Sequence, residues 1–174
     1  MEQDSKKIEN VIGDYRQFLD NVFYNINQVR IDITNYELDH IAYRATTKDS
    51  YSKILGNICP LFGILVKKVI IRNREIAIIK LTKPLRYKDK TITFVELMEP
   101  ADNDKFPEGL EHAEFVVNKG IEKLKKEYPT INFLFIQRKI NPELILKFKN
   151  GANIKFHNSD IEKVLKLQEL AGEL

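Results

Sequence analysis

The sequence predicts an α+β fold made of two βαβββ modules, with an N-terminal helical extension before them and a C-terminal helix after them. Three observations carry this expectation. The order strand, helix, strand, strand, strand is read twice along the chain. Each reading opens on a strand of the same design, Leu38-Asp39-His40-Ile41 and Leu110-Glu111-His112-Ala113: leucine, acid, histidine, apolar residue. A polar stretch broken by proline, Glu99-Pro100-Ala101-Asp102-Asn103-Asp104, separates the two. The modules are expected at 36–100 and 109–158, after a helical extension over 1–35 and before a helix over 159–174, all within one compact domain.

Length and composition set the frame. A chain of 174 residues suits one ordinary domain or two small fused modules. A hydrophobic fraction of 43% supports a packed core, and 30% charged residues give a water-facing surface. The 28 basic and 25 acidic residues are well mixed, which argues against a nucleic-acid partner, since a phosphate-binding face concentrates its cations. Cys59 is the only cysteine, so no intrachain disulfide or thiolate cluster can form; beside Ile58, Leu61 and Phe62 it reads as a small core residue. The charged start, Met1-Glu2-Gln3-Asp4-Ser5-Lys6-Lys7, is unlike a signal peptide, and no apolar run reaches membrane-spanning length. A cytoplasmic location without membrane contact is the expectation.

Residues 5–27 read as helix, because Ile8, Val11, Ile12, Tyr15, Leu19, Val22 and Phe23 recur at three and four positions on one face. After the first histidine strand, Thr46-Thr47-Lys48-Asp49 reads as a helix start, and Pro60 sets the expected end near Ile58. Strands follow at 66–72, 76–81 and 91–98, the first pair joined through Asn73-Arg74, the last two separated by the polar turn Tyr87-Lys88-Asp89-Lys90. Arg72, Arg74 and Arg138 are expected near strand ends. In the second module a strand over 110–117 leads to a helix capped by Asn118 and stopped by Pro129. Strands at 131–138 and 143–149 come next, then the hairpin signal Asn150-Gly151 and a strand over 152–157. Ser159-Asp160 caps the last helix.

Alternation on the first histidine strand sends His40, Ala42 and Arg44 to one face and Ile41 and Tyr43 to the other. By element order His40 matches His112. Laying Phe94-Val95-Glu96-Leu97 on Lys155-Phe156-His157-Asn158 pairs Glu96 with His157. Each module then contributes one ligand-type residue from its first strand and one from its last. Three imidazoles and a carboxylate suit a divalent transition metal such as Zn, Ni, Fe or Mn.

Paired βαβββ units with ligand-type residues on these strands resemble the vicinal oxygen chelate superfamily, which includes glyoxalase I, extradiol dioxygenases and bleomycin-resistance proteins. More narrowly, Asp39-His40-Ile41-Ala42-Tyr43-Arg44, Val95-Glu96-Leu97-Met98-Glu99-Pro100 and Glu111-His112-Ala113-Glu114-Phe115-Val116 resemble the YecM family. The resemblance implies a cupped mixed β-sheet holding a metal whose open positions accept two neighbouring oxygens of a small-molecule substrate. It makes His40, Glu96, His112 and His157 the candidate metal ligands. His157 departs from the glyoxalase pattern, which has a glutamate there.

Two more charges share this face. Arg44 either anchors a carboxylate or phosphate of the substrate or forms a salt bridge, for instance with Glu114. Glu114 is the candidate catalytic base, provided it lies within one water of the reacting proton. The expected function is that of a divalent-metal enzyme using the metal as Lewis acid on a small oxygen-rich substrate, as an isomerase, lyase or dioxygenase. The alternative is a non-catalytic module that binds a small molecule in the same cavity.

Overall fold

The computed structural model describes residues 2–71, 73–100 and 107–171. Arg72 and residues 101–104 of the expected connector lie outside them. The element order is α1 (Glu2–Ile12), α2 (Tyr15–Gln28), β1 (Glu37–Arg44), α3 (Lys48–Phe62), β2 (Gly63–Ile71), β3 (Arg74–Tyr87) and β4 (Lys90–Met98), then β5 (Gly109–Val116), α4 (Ile121–Glu127), β6 (Leu134–Ile136), β7 (Glu143–Lys147), β8 (Asn153–His157) and α5 (Ile161–Leu170). This is the α+β class with βαβββ read twice, as expected. The chain divides into two compact units, Met1–Leu19 with His40–Glu111, and Asp20–Asp39 with His112–Leu174.

In the first unit the strand order is β2-β3-β4-β1. β1 runs parallel to β4, while β4–β3 and β3–β2 are antiparallel. The helix between β1 and β2 makes the parallel pairing possible, because only a crossover can return the chain in the same direction. Its start is the one expected: Thr47 Oγ1 accepts from the Ser50 N–H at 3.0 Å, and the Thr47 N–H donates to Ser50 Oγ at 3.3 Å. Its end is not, because α3 runs through Pro60 to Phe62. The Gly63 N–H donates to the Ile58 carbonyl and closes the last turn. The expected single N-terminal helix is broken at Gly13, whose φ of 82° no helix accommodates. Ala42, Ile76 and Met98 pack together, with Val69 and Ile71 against them.

In the second unit the order is β5-β8-β7-β6, again with one parallel pair, β5–β8, and two antiparallel pairs. The core is aromatic. Phe156 lies 5.9 Å from Phe115 in a stacked contact, and edge-on to Phe133 at 6.2 Å and Tyr36 at 6.3 Å. Phe23 of α2 reaches Phe115 at 6.1 Å. Two details differ from expectation. Asn118 does not cap α4; it donates to the Asn35 carbonyl, and Asn158 Oδ1 instead accepts from the Ile121 N–H at 2.8 Å. The Asn150-Gly151 turn is wider than a two-residue hairpin: Lys147 faces Asn153, and the Phe148 N–H donates to the Ala152 carbonyl. Among the described residues, no helix is long and apolar enough to cross a membrane.

Candidate metal-ligating residues

The β1–β4 ladder fixes the first pair. His40 lies opposite Phe94 and Ala42 opposite Glu96, so His40 and Glu96 share a face of adjacent strands. His40 Nε2 sits 3.2 Å from Glu96 Oε2, with only 4% and 13% of the side chains exposed. Arg44 shares this face. Its guanidinium meets Glu111 Oε1 at 2.6 Å, a different acid from the one first considered. Tyr43, on the opposite face, is buried, and burial together with the nearby Glu108 carboxylate pushes its phenol up to about 12.

The β5–β8 ladder corrects the superposition of the two modules. His112 lies opposite Asn153, Glu114 opposite Lys155 and Val116 opposite His157. With His40 laid on His112, the position of Glu96 is therefore taken by Lys155, and His157 lies two residues further on. A slip of two keeps every side chain on its own face, so alternation alone could not detect it. Lys155 was missed for that reason. The signal that could have found it is parity: it is two residues from His157 and flanked by the apolar Ile154 and Phe156.

Around Glu114 the second unit builds a buried polar cluster. Glu114 Oε1 accepts from Lys155 Nζ at 2.6 Å and lies 2.9 Å from His112 Nε2. Lys155 Nζ is also 3.8 Å from Glu143, which Arg138 holds at 2.9 Å. His157 stands behind this group. Its Nδ1 meets the Ser159 carbonyl at 2.5 Å and Asn141 Nδ2 at 3.0 Å. Its Nε2 lies 3.4 Å from Glu114 Oε2 and 3.6 Å from Asp39 Oδ2. Asp39 in turn accepts from the Ile161 N–H at the start of α5, where a carboxylate is favoured by the exposed helix N–H groups.

In each unit, then, a buried imidazole presents Nε2 to a carboxylate. A buried carboxylate needs a compensating positive group. A proton on the ring supplies one, and a divalent cation bound to the same atoms supplies another. Imidazole nitrogen and carboxylate oxygen are donors that borderline divalent metals accept, so His40 with Glu96, and His112, fit such an ion. Glu114 fits it less well, because the Lys155 ammonium already occupies Oε1. His157 has acceptors at both ring nitrogens, and a nitrogen that keeps a proton toward them has no lone pair for a metal.

A model of the YecM protein family matches residues 7–140. An uncharacterized protein of Haemophilus influenzae is 27% identical over 164 residues, covering 82% of this chain and 85% of that protein. The structural-genomics protein EC4020 superposes with a TM-score of 0.74 at 23% identity, covering 87% of each chain. Methylmalonyl-CoA epimerase in complex with methylmalonyl-CoA and NH4+ superposes at 0.51 with 14% identity, over 72% of this chain and 95% of that one. The methylmalonyl-CoA epimerase from Mycobacterium tuberculosis gives 0.50 at 13%, over 74% and 91%. These structural likenesses show the fold, one that the two epimerases share. The family match reaches from α1 to the turn before β7, and the chain belongs to the YecM family.

Proposed function

We propose that the protein is a divalent-metal enzyme in which His40, Glu96 and His112 hold the ion and Glu114 serves as base. The observation that carries this reading is the repeated pairing of a buried imidazole Nε2 with a carboxylate, at 3.2 Å in one unit and 2.9 Å in the other. Three protein donors with further positions open is the arrangement of catalytic rather than structural sites. Bound there, a Zn, Ni, Fe or Mn ion would act as a Lewis acid on an oxygen of a small oxygen-rich substrate.

The remaining residues are assigned by what they touch. Lys155 and His112 both lie on Glu114 Oε1, and Oε2, with His157 Nε2 3.4 Å away, is the atom proposed to take a proton from the substrate. His157, first expected among the ligands, is assigned the positioning of Glu114 from 3.4 Å. Arg44 would meet an anionic group of the substrate in exchange for Glu111. The epimerase of the same fold was solved with methylmalonyl-CoA, which supports a small molecule rather than a macromolecule as the substrate here. Isomerisation, lyase chemistry and dioxygenation all use such a site.

Elemental analysis of untagged protein purified without chelator tests the reading, alongside a Glu96→Ala/His112→Ala double variant. About one transition metal per chain, lost in the variant, is the expected result and directs screening to diketones, hydroxy acids and catechols. No metal in either protein, even after reconstitution with Zn, Ni, Mn and Fe(II), overturns it. The Lys155–Glu114–His112 group would then line a pocket that binds a small molecule without a metal.

A further inference from the structure

We infer that the first unit carries a second ligand site, a cleft that takes a single acyl chain ending in a carboxylate. The cleft encloses about 880 Å³ between α1, the first turn of α2, the end of α3 and the second half of β3. That volume is toward the upper end of small-ligand sites, which run from about 300 to about 1,000 Å³. Its floor is apolar and fully packed: Ile8 is 2% exposed, Tyr15 0% and Leu85 5%. Leu61, 66% exposed, stands at the mouth.

The cleft owes its shape to an interruption of the sheet. β3 and β4 lose register between Lys80 and Leu85, and Pro84, with no N–H to donate, falls in that segment. Thr82 Oγ1 donates to the Phe62 carbonyl at 3.0 Å, and Tyr15 Oη to the Arg86 carbonyl at 3.4 Å. These bonds tie the displaced segment to α3 and α2, so the walls are held without filling the space between them.

Charge names the ligand's head. Lys7, Arg16, Lys83 and Arg86 line the cleft, and among the described residues no acid does. In a chain of 28 basic and 25 acidic residues this is a local concentration, not the general balance. Arg16 shares its charge with Glu9 and lies 4.6 Å over the Tyr15 ring; Arg86 donates to Thr91 Oγ1 at 3.3 Å. An apolar floor beneath a cationic rim is complementary to a molecule that is apolar along its length and anionic at one end. His40, Glu96, His112 and Glu114 do not line the cleft, so this site stands or falls independently of the metal.

Calorimetric titration of the full chain with dodecanoate, dodecanol and dodecylamine, each below its micelle concentration or solubility limit, tests the assignment. Dodecanoate is expected to bind at about one per chain and about tenfold tighter than dodecanol, with no binding of the amine. Lys83→Glu/Arg86→Glu, two exposed positions, should weaken dodecanoate by about tenfold or more and leave dodecanol unchanged. Should that variant fail to fold, Lys83→Gln/Arg86→Gln carries the same expectation with a smaller change. Leu61→Asp at the mouth should weaken dodecanoate and dodecanol alike. Absence of dodecanoate binding, equal binding of the amine, or an unchanged affinity in the folded charge variants would each overturn the proposal.

Discussion

Lys155 sets the balance of charge in the second unit. Its ammonium lies 2.6 Å from a carboxylate that is 10% exposed, so it removes the cost of burying that charge. The same ammonium repels a dication approaching His112. Lys155→Gln should therefore act in two directions. Metal-free protein should lose about 1–3 kcal/mol of stability, as a buried charge loses its partner. Metal should bind about tenfold tighter, because the repulsion is gone and Glu114 can turn to the ion. Competition against a chromogenic chelator reads the affinity and thermal melting reads the stability. Weaker binding in the variant would mean that Lys155 works by holding Glu114 in place. The sequence made the histidines legible because only three exist and each falls on a strand of the repeat. Lys155 was illegible for the converse reason: a lysine on a strand looks like a solvated side chain until the ladder register shows what lies opposite it.

Among the secondary-structure elements, alternation and capping carried most of the reading. Thr47 capped α3 as expected and Asp160 capped α5, its carboxylate accepting from the Lys163 N–H at 2.7 Å. The errors fell where backbone conformation, not side-chain pattern, decides. Gly13 breaks the first helix although the apolar stripe continues across it. β3 runs for 14 residues, past the expected end at Leu81, because its ladder with β4 resumes at Leu85 beyond an irregular segment at 81–84 that reads as a loop in sequence. Glu75, at the start of β3, ties three elements together. Its Oε1 accepts from Tyr51 of α3 at 2.9 Å and from Lys68 of β2 at 2.7 Å, and its backbone N–H donates to Glu99 after β4 at 2.8 Å. The Lys68 hydrogen bond holds the Glu75 carboxyl below its ordinary range. A carboxyl so depressed stabilises the fold above the ordinary carboxylate pKa and loses that contribution as pH falls through its folded value. Glu75→Gln should cost about 1 kcal/mol at neutral pH, discounted for its partial exposure, and nothing once the wild-type carboxyl is protonated. Urea denaturation across the acid range should show the two proteins converging. A constant gap at every pH would assign the difference to packing alone.

At the scale of the whole molecule, the repeat was legible because two modules of one element order each place a histidine on their first strand. The unit boundaries were not legible. They fall inside α2, between Leu19 and Asp20, inside β1, between Asp39 and His40, and inside β5, between Glu111 and His112, where nothing in composition changes. Both histidines thus open the portion of strand that belongs to their own unit. A metal held by the proposed ligands should act on stability by mass action, since it binds the folded form and finds no assembled donor set in the unfolded one. At a free metal concentration a hundredfold above Kd the gain is about 2.7 kcal/mol, which for a chain of 174 residues is a rise in Tm of about 5–10 °C. Because imidazole must be unprotonated to ligate, the rise should shrink as the pH is lowered. His40→Ala and His112→Ala should each abolish it, while His157→Gln, altering only the support of Glu114, should keep most of it. Differential scanning calorimetry with zinc and manganese decides the matter. If His40→Ala kept the full rise while His112→Ala lost it, the ion would be bound by the second unit alone, and Glu114 would have to be a ligand instead of the base.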